Sequence, residues 1–508
     1  MRRAYDVAAV RAAEERAMAV VGPDALMASA AAGLARVCRG LLAARGGAIA
    51  SSTVVLLVGS GNNGGDTLFA GAQLARRGAR VTAITTSATS HEAGTAALCA
   101  AGGRMVAATN DTDIGAATKL LRAADVVLDG IVGIGGRGAL TEPAATLVRA
   151  VRSGEAFRIA VDVPSGVDAD TGAVPDPATA FCADLTVTFG CLKPGLLVAP
   201  GRDFAGAVEL VDIGLNPYLP QVPLLRSLQA PDLAEYVRGP GPADHKYSRG
   251  VIGVVAGSKQ YPGAALLCVG GARRSGVGMV RFADRGDGVA ERVVTAYPDV
   301  VLQTEDPDAD PRVSAWVVGP GLGHTKADER WLLRVLGADV PVVLDADALR
   351  LYATSEDVRA KVGDRVGRGS LTVLTPHTGE FAAIFGSIGD QGRVAAARAA
   401  AERSGCIVVL KGSGTLVAAR KGASYVDPVA AHELATAGSG DVLAGLLGGF
   451  LAHRAARQMT SETARAIAAA VFVHGLTAKV AAGEGRPVVA TDLLDAVGPA
   501  IATLRGSR

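Results

Sequence analysis

TVVLLVGSGNNGGD, residues 53–66, decides the fold of the first half of the chain. The run 53–59 is apolar and β-branched, the pattern of a strand buried on both faces. GNNGGD at 61–66 follows, and a helical pattern occupies about 65–77. Gly61, Gly64 and Gly65 permit a tight turn, after which backbone N–H groups converge on a phosphate at the helix N-terminus. Asn62 and Asn63 offer amide groups to a ligand or carbonyl oxygens to a cation, and Asp66 closes the motif. This spacing is not the GxGxxG dinucleotide fingerprint.

Outward from that stretch, the same alternation repeats. Residues 5–20 and 25–40 read as Ala-rich helices. Strands are expected at 80–85, 126–129, 158–163, 184–190 and 208–214, with a helix at 91–101. Apolar strands alternating with helices give a parallel sheet covered on both faces. In such sheets the C-terminal strand ends face the ligand crevice. Asp129 and Asp162 stand at two of those ends, Asp162 leading into Pro164, Ser165 and Gly166. GIGGRG at 133–138 is a second anion cradle. Lys193, after the strand at 184–189, meets Asp162 as a proton donor or binds phosphate.

The first domain is expected over 1–222. Proline, glycine and charge gather at 223–245, the expected linker, and a second α/β domain follows over 246–505. Its strands are expected at 251–255, 314–318, 341–345, 371–374 and 406–410, with helices at 263–275, 393–403, 441–453 and 462–481. AGSGD at 437–441 opens an apolar helix. Gly438, Ser439 and Gly440 present N–H groups where charge develops on a phosphoryl group, and Asp441 accepts a proton from a substrate hydroxyl. KGSGT at 411–415 (Lys411, Gly412, Ser413, Gly414, Thr415) holds a nucleotide phosphate or ribose, and its lysine precedes the glycines, unlike a Walker A loop. GPGLG ends at Gly323. In TPHTGE, His377 is a hydrogen-bonding candidate, while Glu380 orders its helix or holds metal-bound water.

Composition narrows the function classes. With 49% hydrophobic and 20% charged residues, the chain buries large cores, which excludes a disordered scaffold. A net charge of +2 and 4% aromatics, without a basic tract, argue against a nucleic-acid surface. The six cysteines show neither CxxC pairs nor metal-like spacing, so reduced thiols and a cytoplasmic setting are expected. No stretch reads as membrane-spanning, 443–452 and 466–473 being too short. The ligands are therefore small anionic molecules, with no nucleic-acid or membrane partner. A homo-oligomer is expected, with helices 25–38 and 441–453 as candidate interfaces that core packing explains equally well.

These stretches resemble two families. GNNGGD, the Asp129 strand, DVPSGVDADTG at 162–172 and VTFGCLKPG at 187–195 resemble the YjeF N-terminal family of NAD(P)HX epimerases, whose fold is Rossmann-like. The resemblance implies that Asn62, Asn63, Gly64, Gly65 and Asp66 contact the hydrate. It adds Gly133, Ile134, Gly135, Gly136, Arg137, Gly138, Ala139 and Asp162, and implies a potassium ion on Asn63, Asp129 and Ser165. The chain departs from the family's usual glycine at Thr67, expected to narrow the pocket slightly, and from GTG at 133–135.

Residues 240–500 resemble the ribokinase-like YjeF C-terminal family of NAD(P)HX dehydratases. HKYSRG, AGSKQYPGAA, GPGLG, TPHTGE, KGSGT and ATAGSGDVLAG carry that resemblance, with Thr378 in place of a usual proline. It implies hydrate contacts from Ala264, Gly323, His377 and Asp441, and adenine-nucleotide contacts from 411–415 and Gly440. The Ala-rich, bacterial-looking composition favours ADP, and clustered phosphate charge implies magnesium. Taken together, the chain reads as two α/β/α domains that repair hydrated nicotinamide cofactors. The competing readings are a sugar or vitamin kinase with an accessory ligand-binding domain, and a ligand-binding regulator.

Overall fold

The structure, a computed structural model, describes residues 1–506 except 47, 109–110, 305, 308–309 and 455–460. The chain divides into two compact units, Arg3–Leu224 and Leu225–Arg508, with Met1–Arg2 grouped with the second. Both are α/β.

The first unit is built on a seven-stranded sheet. Its order is Arg104–Ala107, Arg80–Thr85, Thr53–Val58, Val126–Gly130, Phe157–Val161, Leu185–Phe189, Ala207–Val211. All neighbours are parallel. The central strands are buried along their length, as Leu56, Leu57, Leu128 and Val161 show. The chain leaves Thr53–Val58 toward one edge, then returns to its other side at Val126–Gly130. That reversal opens a crevice beyond the two strand ends. Helix Asn62–Ala75 starts inside it, so Asn62 and Asn63 stand in the first helical turn rather than in the loop.

The second unit repeats the device. Val251–Val255 lies between Met279–Ala283 and Ala315–Val318, and the sheet continues in parallel through Val342–Leu344, Thr372–Leu374 and Ile407–Leu410. Leu416–Ala418 and Ser424–Val426 extend it antiparallel, followed by Leu225–Ser227. That last strand lies in the expected linker: residues from 225 onward, with the short turn Ala230–Leu233, belong to the second unit. Its reversal point is between Val251–Val255 and Ala315–Val318, where Gly257 N donates to Pro320 O at 2.7 Å.

Pro23–Ala44 and Thr463–Ala482 are, contrary to expectation, long and apolar enough to cross a membrane by length and composition. Each is a core helix: the first supplies Leu34, Cys38 and Leu42, the second Ile467, Val471 and Val473. Helix Ser439–Arg454 likewise spends its apolar face internally, on Pro262–Arg274. The two approach so closely that a Cβ at Gly445 would lie 2.0 Å from the Cys268 carbonyl.

Candidate active sites

In the first unit the crevice is a cavity of about 490 Å³. Ser60, Gly61, Asn62, Asn63 and Asp66 form one wall, Ile131 to Gly135 another, and Asp162 and Phe189 a third. Three loops distant in sequence thus meet at the reversal point. Gly64 and Gly65 serve packing instead: a Cβ on Gly64 would lie 2.3 Å from the Gly59 carbonyl. Of the loop 133–139, Gly133, Ile134 and Gly135 line the cavity, while Gly136, Arg137, Gly138 and Ala139 do not. Thr67 does not narrow it. It is fully buried, its hydroxyl donates to Asn63 O at 2.7 Å, and it packs on Gly130.

Asp162 and Lys193 come together behind this cavity. Lys193 is 1% exposed, so its ammonium needs partners. It donates to Asp162 Oδ1 at 2.5 Å, to Thr188 Oγ1 at 3.0 Å and to Phe189 O at 3.0 Å. Asp162 Oδ1 also accepts from Thr188 Oγ1 at 3.1 Å and Phe189 N at 3.2 Å. Asp162 holds a left-handed backbone, φ 68°. Such a conformation in a non-glycine residue is costly and concentrates at functional sites.

Asp129 does not line the cavity. It is fully buried beside it, accepting from Ser165 Oγ at 2.7 Å, Ser165 N at 2.8 Å and Ile131 N at 3.2 Å. Burial pushes its carboxyl up to about 6, against those donors. Asn63 packs on Gly133, its Nδ2 buried without a hydrogen-bond partner.

Among the cavity residues not expected from sequence are Arg11, Glu14 and Met18, from helix Val7–Val21. Their spacing of three and four places them on one helical face, the only sequence signal they give. Burial and the Asp162 charge push Glu14 up, with Lys193 and Arg11 opposing. Asp66 is pushed well up by burial and by the charges of Asp162 and Glu14.

In the second unit Lys411 joins several strand ends. Its ammonium donates to Asp345 Oδ1 at 2.7 Å and lies 3.8 Å from Glu380 Oε2. Asp345 also accepts from Thr375 Oγ1 at 2.6 Å. Burial opposes the Lys411 charge, but Asp345 and Glu380 outweigh it and hold its pKa above the usual value. A Cβ at Gly440 would lie 3.5 Å from Lys411 Nζ, so KGSGT and AGSGD face each other.

Between them is a cavity of about 330 Å³. Lys411, Gly412, Ser413, Thr415, Ser439 and Gly440 line it, with His432, Leu434, Leu443 and His474. Asp441 sits in the first turn of helix Ser439–Arg454. Burial, then Asp345, pushes its carboxyl up to about 7, with Asp347 adding and Lys411 opposing.

Of the expected residues, Asp441, Gly438, Gly414, Ala264, Gly323 and His377 do not line this cavity. Gly321 packs on Ala264, and Gly323 N donates to Asp347 Oδ2 at 2.8 Å. That carboxylate is one of those raising Asp441. His377 caps helix Thr378–Phe385: its Nδ1 accepts from Gly379 N and Glu380 N, while its own N–H donates to Glu380 Oε2 at 2.8 Å. Its Nε2 lies 3.5 Å from Glu380 Oε1. His474 was not anticipated. Burial pushes it down to about 4, and the neutral ring donates Nε2–H to Ser439 O at 2.9 Å, bracing the 438–440 loop.

Family models match both units. "YjeF-related protein N-terminus" covers residues 23–195, and "NAD(P)H-hydrate dehydratase" covers 252–498. The bifunctional NAD(P)H-hydrate repair enzyme of Mycobacterium tuberculosis is 44% identical over 453 residues, 89% of each chain. This chain belongs to the bifunctional NAD(P)H-hydrate repair enzyme family. The Mycobacterium leprae member is 41% identical over 96% of each chain. The Escherichia coli member is 32% identical over 73% of this chain and 70% of its own. A solved Bacillus subtilis ADP/ATP-dependent NAD(P)H-hydrate dehydratase, co-crystallised with ATP and Mg²⁺, is 27% identical. It covers 56% of this chain and 99% of its own, with a TM-score of 0.47. Within the repair-enzyme family match, the YjeF region begins at residue 23, so Arg11, Glu14 and Met18 stand outside it.

Proposed function

We propose that the first unit interconverts R- and S-NAD(P)HX, and that the second dehydrates S-NAD(P)HX with ADP, releasing NAD(P)H, AMP and phosphate. The observation that carries this is the pairing of two differently equipped cavities, each at the reversal point or strand ends of its own sheet, in a chain of this family.

In the epimerase, backbone N–H groups at Asn62–Asn63 hold phosphate at the helix N-terminus. The nicotinamide end then reaches Asp162, whose Lys193 partner fixes it as half of an acid–base pair near C6. Asp129, Ser165 and Asn63 suit a potassium ion. They supply oxygens around one fully buried carboxylate whose partners are all neutral donors, and Asn63 would turn its side-chain oxygen to the ion. A bound cation would neutralise that carboxylate.

In the dehydratase, KGSGT and Gly440 hold the nucleotide, while Ala264, Gly323 and His377 meet the hydrate. Asp441 takes the proton of the C6 hydroxyl as its oxygen attacks the β-phosphoryl group of ADP, and the 438–440 N–H groups with Lys411 stabilise the transferring charge. Phosphate then leaves more readily than water, pushed by the ring nitrogen, and loss of a C5 proton restores the C5–C6 double bond. A carboxyl at about 7 suits a general base at neutral pH. Magnesium would enter on the nucleotide's own phosphates, with Glu380 available to its water shell, and supplies charge neutralisation at the phosphoryl oxygens.

Incubating the full chain with S-NADHX and ADP tests this reading. NADH, AMP and phosphate should form in equal amounts. A stable phosphorylated product would identify a small-molecule kinase instead. A homo-oligomer remains the expected assembly, read by light scattering.

A further inference from the structure

R and S hydrates carry the C6 hydroxyl on opposite faces of the ring. If exchange runs through loss and return of water, each face needs its own proton donor and acceptor, because departure from one face is the reverse of arrival on it. Asp162 with Lys193 serves one face. Its Oδ1 is already taken by three donors, so this carboxylate is fixed in place. The cavity needs a second group from a different wall.

Helix Val7–Val21 supplies one. Its start is pinned beside the Asp162–Lys193 pair: Tyr5 N donates to Leu192 O at 3.0 Å, Val7 N to Asp170 Oδ1 at 2.7 Å, and Ala9 N to Asp6 Oδ1 at 2.8 Å. From there the helix presents Arg11, Glu14 and Met18 to the cavity that Asp66 and Asp162 also line. Arg11 reaches the loop opposite, its guanidinium 3.3 Å from where a Gly135 Cβ would stand.

We propose that Glu14 is a further catalytic residue of the epimerase, carrying the proton exchanged with the C6 hydroxyl on the face away from Asp162. The assignment rests on the epimerase reading above. The Glu14 carboxyl proton passes to the C6 hydroxyl oxygen. The C6–O bond breaks with its electrons leaving on water, and the ring-nitrogen lone pair forms the N1–C6 double bond. Water adds to the opposite face of this planar cation, and its proton goes to the Asp162 side. The reverse passage restores both groups.

The charge pattern fits. A cationic intermediate between Asp162 and the newly ionised Glu14 is stabilised electrostatically, while the substrate's phosphates sit at the helix N-terminus. The groups facing Glu14 are Arg11 on its own helix, Asp66, Asp162, and Lys193 with Cys191 behind them. Burial beside Asp162 favours the protonated carboxyl this step requires.

The test uses the full chain with separated R- and S-NADHX in H₂¹⁸O. Wild type should exchange the epimers and incorporate ¹⁸O at C6. Glu14→Gln should lower kcat for exchange by roughly 10²–10⁴-fold with KM little changed, leaving dehydration of S-NADHX at the wild-type rate. Glu14→Asp keeps the acid on a shorter arm. It should fall in between, at about a tenfold or greater loss, and remains readable if the Gln variant folds poorly. A wild type that exchanges while both variants keep its kcat overturns the Glu14 assignment alone. Exchange without ¹⁸O uptake overturns the water-loss step. Wild type without exchange overturns the epimerase reading itself.

Discussion

The two cavities use one backbone device with opposite lysine wiring. Each sets glycine-rich N–H groups at a helix N-terminus by the C-terminal ends of parallel strands. In the first, Lys193 seals directly onto Asp162, the carboxylate that lines the cavity. In the second, Lys411 pairs with Asp345 and leaves Asp441, one turn into its helix, crowded by two further carboxylates. An ion-paired carboxylate is a positioned charge. A desolvated one beside like charges holds its proton to higher pH. The contrast fits isomerisation in one α/β unit and phosphoryl chemistry in the other.

The largest break in that contrast comes from exchanging charge for amide at each centre. Asp441→Asn should lower dehydration by roughly 10²–10⁴-fold while epimer exchange continues, and Asp162→Asn should do the converse; stopped assays on separated epimers read both. Lys193→Met leaves a buried carboxylate without its partner. It should destabilise the first unit by roughly 3–5 kcal/mol, visible as an early transition in denaturant.

The wiring difference also predicts a pH signature. Asp441 acts as a base only when ionised and sits at about 7, so kcat/KM for dehydration should climb as pH rises through about 7 and level off above it. Loss of this limb in Asp441→Asn would tie it to that carboxyl. A pH-independent wild type between 6 and 8 would detach it. The smallest expected effect is at His474. Its bond to Ser439 O is between neutral groups, worth about 0.5–1.5 kcal/mol, so His474→Phe should slow dehydration roughly two- to tenfold, with Asn partly restoring it.

Much of this was legible in the sequence because each informative loop follows a strand whose apolar run is unmistakable. Thr53–Val58, Val126–Gly130 and Leu185–Phe189 fix where Asn62, Asp129 and Lys193 must emerge. Where burial is partial, the signal weakens. The edge strand Arg104–Ala107 is half-exposed, and helix Asp111–Arg122 is largely polar, so neither was expected. Leu225–Ser227, only three residues among prolines, read as linker because its strand character comes from pairing with Ser424–Val426. Within the sites, the glycine motifs announced themselves, but the groups that tune them did not. Glu14 is one of two adjacent acids on a charged helix, and His474 is one polar residue on an apolar one. Each acquires its role from what the fold places opposite. His377 shows the converse: a residue singled out for ligand contact also spends its Nδ1 on a helix cap.

The most direct test of two independent, differently wired centres is absorbance in the reduced-nicotinamide band, with mixed R- and S-NADHX, ADP, magnesium and potassium. Wild type should recover all of the NADH. Asp162→Asn should stop at the S fraction, rising afterwards only at the enzyme-free rate, and Asp441→Asn should recover none. Full rapid recovery by Asp162→Asn, or any ADP-dependent recovery by Asp441→Asn near the wild-type rate, would contradict the account.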